Sequence, residues 1–176
     1  MNRSLKWLAS LPACLLLCAC VHLGEPRVTG PRPERSSIAG FALEGRLSVK
    51  QGDHSYQAGV QWTHEPGAEK ILLTGPLGQG LAELESTAEG ARLITSDQKV
   101  LAAANADALA LELLGFDLPL SALPDWVLGR SHPVDGWQVQ VLRYESEDAN
   151  ALPLLLELQR GDDLTVRIKI DEWQLP

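Results

Sequence analysis

Four histidines, three cysteines and two adjacent acid pairs are the residues of this 176-residue chain with chemistry to offer. His22, His54, His64 and His132 are scattered, and none makes the H-x-x-x-H pair that sets two imidazoles on one helix face for a metal. Asp162-Asp163 and Asp171-Glu172 sit at a turn and near the chain end, where they read as solvated acids rather than an acid–base pair. There is no G-x-S-x-G elbow and no Walker loop. Gly75, Gly78 and Gly80 lack the G-x-G-x-x-G spacing, and no helix pattern follows them. Without a nucleophile–base pair, a lipid-active hydrolase has little support. The expectation is a protein that is not an enzyme and needs no cofactor and no metal.

The cysteines carry a different chemistry. Cys14, Cys18 and Cys20 all lie in the first twenty residues. Arg3 and Lys6 make a positive start, and Trp7 to Leu17 form an apolar run too short for a membrane span of about 20 residues. Leu17-Cys18-Ala19-Cys20 then fits the lipobox cut by signal peptidase II, with Cys18 where Ala or Ser is commoner. Residues 1–19 are therefore expected to be removed and Cys20 to be lipidated. His22 to Ser37 mix Gly24, Pro26, Gly30, Pro31 and Pro33 with charges, as a flexible tether does. As a flexible chain, Val21 to Ser37 would reach roughly 20–25 Å. Residues 20–37 are thus read as lipid-bearing tether and 38–176 as one folded domain. Val21 follows the lipidated cysteine where an Asp would retain the protein at the inner membrane, so the outer membrane is expected.

Charge narrows the partners. Without Arg3 and Lys6 the chain keeps 13 basic against 23 acidic residues, a net charge of −10. Such a surface excludes nucleic acid as a partner, since binding it needs a basic face to displace counterions. It also excludes attachment to the membrane by a polybasic patch alone.

Hydrophobic periodicity supplies the frame. Phe41, Leu43, Leu47 and Val49 alternate with polar residues, and so do Tyr56, Ala58, Val60 and Trp62, with a Gly52-Asp53 turn between. This predicts an antiparallel hairpin. Further strands are expected at Lys70–Thr74, Leu81–Ser86, Ala91–Thr95 and Lys99–Ala102. Ala106–Leu114 reads as a helix between an Asn105 cap and Gly115. Ser121–Leu128 reads as a second helix, with Pro124 in its first turn and Gly129 after it. Strands resume around Trp137–Val141, Leu154–Leu158 and Leu164–Ile170. Eight to ten strands with one apolar face each suit a strongly curved antiparallel sheet whose open side the helices cover.

Two features fall outside this frame. Leu77 stands at the tip of Thr74-Gly75-Pro76-Leu77-Gly78-Gln79-Gly80, between two strands, where a turn prefers Asn, Asp or Ser. From the pattern alone, folding back onto the sheet rim is the readier reading; the other is an exposed side chain that dips into lipid. Trp62, Trp126, Trp137 and Trp173 suit core packing, and Trp62 and Trp137 on apolar strand faces also suit a cavity wall.

Taken together, several segments resemble the LolB family of outer-membrane lipoprotein receptors. They are the GRLSV run at Gly45–Val49, the Trp62 strand, Leu72-Leu73-Thr74-Gly75-Pro76-Leu77-Gly78, Leu118-Pro119-Leu120 through Trp126-Val127-Leu128-Gly129, and Ile168-Lys169-Ile170-Asp171-Glu172-Trp173. The resemblance runs in order from signal to C-terminus. It implies a mainly β fold with some α: an incomplete antiparallel β-barrel, or half-barrel, with a helical lid over an apolar cavity. It implies that the cavity takes acyl chains of client lipoproteins delivered by the periplasmic carrier LolA. Val60, Trp62, Leu73, Leu123, Trp126, Val127, Trp137 and Ile168 are the expected lining. It also implies that Pro76, Leu77 and Gly78 form a protruding loop that meets the inner leaflet of the outer membrane. The expected form is a monomer facing the periplasm, whose acidic surface suits a basic carrier rim. The alternative is an outer-membrane lipoprotein of the same barrel type that binds another lipid or scaffolds envelope assembly.

Overall fold

The computed structural model describes residues 32–130, 132 and 134–176. The signal segment, Cys20 and the first part of the expected tether lie outside the described residues. Nine strands form one sheet: β1 (Phe41–Gln51), β2 (His54–Glu65), β3 (Ala68–Thr74), β4 (Gly80–Thr87), β5 (Gly90–Thr95), β6 (Val100–Ala103), β7 (Trp137–Tyr144), β8 (Pro153–Arg160) and β9 (Leu164–Gln174). Their order is β6-β5-β4-β3-β2-β1-β9-β8-β7, with every pairing antiparallel. Helices α1 (Ala106–Leu114) and α2 (Leu123–Val127) stand between β6 and β7. The fold is mainly β, and the sheet is open rather than closed into a barrel.

The alternating pattern sets the register. Leu43 pairs with Trp62 and Leu47 with Ala58, which keeps both apolar rows of the first hairpin on one face. One consequence is strong curvature. Leu93 of β5 and Leu158 of β8 line the same cavity although five strands separate theirs. In a flat sheet six strand spacings would hold them roughly 29 Å apart.

Helix α1 follows the expected signals. Asn105 Oδ1 accepts from Ala108 N at 2.9 Å, and Gly115 ends the helix at φ 75°, a left-handed conformation that suits a residue without a Cβ. Ala106, Leu109 and Ala110 are its buried residues, and Ala106 and Leu109 pack with Leu84, Ala91 and Leu93 of β4 and β5. Helix α2 is shorter than Ser121–Leu128. Ala122 offers no side-chain cap, and the turn before it is held from outside: Asp107 accepts from Ser121 N at 2.9 Å and from Ser121 Oγ at 2.7 Å. That clasp ties α1 to the start of α2.

Two expected boundaries move. Strand β9 continues through Trp173 to Gln174, because a bulge at Glu44/Gly45 lets Leu43 still face Trp173. The tether is also shorter than expected. From Arg32 onward the chain is packed on the domain, with a 3-10 turn at Arg35–Ser37. Arg32 grips Glu145 with two hydrogen bonds, of 3.1 and 2.5 Å, and the Arg35 guanidinium lies 5.2 Å from the centre of the Tyr144 ring. Arg130 Nη1 donates to Arg35 O at 3.2 Å and to Ile38 O at 3.3 Å.

Candidate functional site

The concave face of the sheet and the two helices enclose a cavity lined by nineteen side chains, all of them apolar. β1 supplies Leu43 and Leu47, β2 Val60 and Trp62, β3 Ile71 and Leu73, and β9 Val166 and Ile168. β4, β5 and β8 add Ala82, Leu84, Leu93 and Leu158. The roof comes from α1 (Leu109, Ala110, Leu113, Leu114) and from the stretch into α2 (Leu118, Leu120, Leu123). Leu113 is on this lining and is also exposed, so it marks the mouth. The space inside is about 100 Å³.

The wall stays apolar because its one polar atom is turned away. Trp62 Nε1 donates to Glu69 Oε2 at 2.7 Å, and the other oxygen of Glu69 lies 2.7 Å from His64 Nδ1. The indole can therefore show its ring to the cavity while its N–H is satisfied at the sheet end. Among the described residues no cluster of His, Cys, Asp and Glu is placed to hold a metal, and no polar side chain is buried.

Of the residues expected to line the cavity, the structure brings Val60, Trp62, Leu73, Leu123 and Ile168 onto the wall. Trp126, Val127 and Trp137 are not on it. They are fully buried behind the roof, with the Trp126 and Trp137 rings 6.3 Å apart. Trp126 donates to His132 O at 3.2 Å within the α2–β7 connection, and Trp137 of β7 donates to Asp117 O at 3.1 Å, so the Trp137 indole fastens the lid segment to the sheet. Strand and helix parity assigns a side chain to a face but not to a depth. The wall residues not singled out beforehand, such as Leu43, Leu47, Ile71 and Val166, carry the same alternating signal as those that were.

The loop between β3 and β4 is compact. Gly75 N donates to Gln79 O at 2.8 Å, Gly78 N to Gly75 O at 2.9 Å, and Leu77 N to Gln79 Oε1 at 3.1 Å. Gly78 has φ 78°, which a residue with a Cβ adopts only with strain. These bonds satisfy the backbone and leave the Leu77 side chain 93% exposed. It does not fold back onto the rim.

On the opposite, convex face, charged residues pair across strands. Lys70 is flanked by Glu83 and Glu85, which hold its ammonium above its ordinary pKa. Arg92 and Lys70 hold the Glu85 carboxyl below its own. Farther along, Lys169 and Arg46 hold the Asp171 carboxyl below its ordinary value.

The family model for the outer membrane lipoprotein LolB matches residues 39–173. The chain belongs to the LolB family. It is 34% identical to the outer-membrane lipoprotein LolB of Nitrosomonas europaea, over 96% of this chain and 92% of that one. It is 35% identical to the LolB of Dechloromonas aromatica, over 80% and 84% of the two chains. With the LolB of Azoarcus sp. strain BH72 it shares 34% identity over 99% of both. As a LolB-family member the chain is a lipid-anchored outer-membrane lipoprotein with a role in lipoprotein localisation, and it is not an enzyme. LolB-family membership also implies dealings with LolA and with lipoprotein clients.

Proposed function

We propose that this chain, anchored through Cys20 and acting as a monomer, accepts lipoproteins from a LolA-type periplasmic carrier and inserts them into the inner leaflet of the outer membrane. The client's acyl chains occupy the cavity beneath α1 and α2. The observation that supports this most is the wall itself: nineteen apolar side chains with no polar lining residue, under a helical roof.

Energetics explain why no nucleotide is needed. A lipoprotein's acyl chains contain dozens of methylenes, each worth about 0.8 kcal/mol when buried. Such a client cannot cross water at a useful rate. Passing it between two apolar cavities cancels nearly all of that cost. A difference of about 1.4 kcal/mol between the two cavities gives a tenfold bias.

The enclosed space of about 100 Å³ is well below the roughly 300–1,000 Å³ typical of ligand sites. Client entry therefore requires the roof to lift. The Ser121–Asp107 clasp joins α1 to the stretch before α2, so the two would move as one lid. Release is assigned to the β3–β4 loop. Burying Leu77 in lipid yields roughly 1.5–3 kcal/mol, enough to help hold the loop at the bilayer and too little to trap it there.

The test mixes the mature chain, with Cys20 replaced by Ser, with a carrier–lipoprotein complex in the absence of nucleotide. The lipoprotein is expected on this chain after separation. A folded chain that takes none sinks the proposal.

A further inference from the structure

A second concavity lies on the convex face, away from the acyl cavity. It is a groove of about 570 Å³ whose lining includes Arg46, Gly59, Pro76, Leu155, Arg167 and Lys169. Cross-strand pairing places Thr74, Gly59, Arg46, Lys169 and Leu155 in one row across β3, β2, β1, β9 and β8. Gly59 makes the dip: a Cβ there would stand 2.3 Å from Thr74 Oγ1. Pro76 closes one end, so the groove adjoins the loop whose tip is Leu77.

Three cations converge here on a chain of net charge −8. Arg167 Nε donates to Glu157 at 2.6 Å, Lys169 to Asp171, and Arg46 Nε lies 3.5 Å from Asp171. Three cations against two carboxylates leave one unit of positive charge. Arg46 and Arg167 are mostly exposed, and ion pairs of this kind are worth little and exchange readily.

We propose that this groove seats the phosphate headgroups of an anionic bilayer next to the site where Leu77 enters it. The inference rests on the assignment of the loop to membrane contact and adds the lipid chemistry that the loop prefers. An apolar tip alone selects no headgroup and fixes no orientation. A tip flanked by cations does both, because headgroup phosphates lie just outside the apolar layer that receives the leucine. The remaining acidic surface is screened beyond a Debye length of about 8–10 Å, so the local charge decides the contact.

The experiment uses the mature Cys20→Ser chain and measures co-sedimentation with vesicles of phosphatidylcholine alone or mixed with phosphatidylglycerol. Partitioning is expected to be higher on the anionic vesicles and to fall with salt. Arg46→Gln and Lys169→Gln should each reduce that preference by up to about fivefold, with little change on neutral vesicles. Asp171→Asn, which frees two cations, should increase it. Leu77→Glu should lower partitioning on both vesicle types. Equal partitioning on the two compositions, or a preference that all three charge variants leave unchanged, overturns the groove while leaving the loop assignment intact. An unchanged Leu77→Glu chain overturns the loop assignment instead. If Arg46→Gln and Lys169→Gln impair uptake from the carrier but not vesicle binding, the groove docks a protein and the membrane proposal is wrong.

Discussion

Trp62 and Glu69 are joined by a 2.7 Å hydrogen bond that seals the polar edge of an otherwise apolar wall. Removing the acceptor leaves a largely buried indole N–H unpaired, at a cost of about 1–3 kcal/mol. Glu69→Ala is expected to lower the unfolding free energy by that amount, and Glu69→Gln, which keeps an acceptor, by less. Urea unfolding monitored by tryptophan fluorescence checks both. Equal losses in the two variants would show that the carbonyl acceptor is not what matters.

Leu77 makes almost no contact with the rest of the domain, so changing it tests function without disturbing the fold. Leu77→Glu should keep the thermal midpoint and client uptake while impairing delivery to membranes. Uptake and delivery are read separately, by transfer from the carrier and by recovery of the client in vesicles. Equal loss of both would end the two-step picture.

The cavity allows a graded test. Val60→Glu places a carboxylate on the wall and should abolish client binding, with a cost in stability from the buried charge. Ala82→Phe fills space at the same wall without charge, and should weaken client binding while moving the urea midpoint less than Val60→Glu does. Client binding unchanged in a folded Ala82→Phe chain would mean that the acyl chains lie elsewhere.

Asp171 gives a pH dependence with a definite sign. Lys169 and Arg46 lower its folded pKa below the ordinary value of 3.8. Its contribution to stability is therefore present above pH 3.8 and lost as pH falls through the lowered folded value. The stability difference between the parent chain and Asp171→Asn should be small and measurable at neutral pH and vanish in stronger acid. A difference that persists there would assign it to something other than the charge. The effect is small because the Asp171 side chain is 43% exposed and water screens its ion pairs.

Most of the sheet was legible because each strand meets water on one face, and the alternation of Leu164, Val166, Ile168 and Ile170 states its orientation directly. α1 was legible from Asn105 and Gly115, which act locally. What escaped depends on partners far along the chain. Arg32 and Arg35 look like tether residues until Glu145 and Tyr144, more than a hundred residues later, are brought beside them. Trp173 lies past the strand expected at Leu164–Ile170 until β1 is there to pair with it. The division of the tryptophans also escaped: Trp62 borders the cavity, whereas Trp126 and Trp137 are buried away from its wall. Apolar patterning treats all three alike, and only the stacking of layers separates them.

The pairing of β1 with β9 sets the order in which this molecule can come into being. Phe41–Gln51 opens the sheet sequence, Leu164–Gln174 ends it, and the two lie side by side in the middle of the finished structure. Contacts of such long sequence separation form slowly, after the intervening chain has been gathered in. Until the last strand is free, the nascent chain has two half-sheets and an unfilled slot between them. The concave face is therefore continuous only once β9 has entered, so nearly the whole folded segment must be present before the molecule has a cavity to offer.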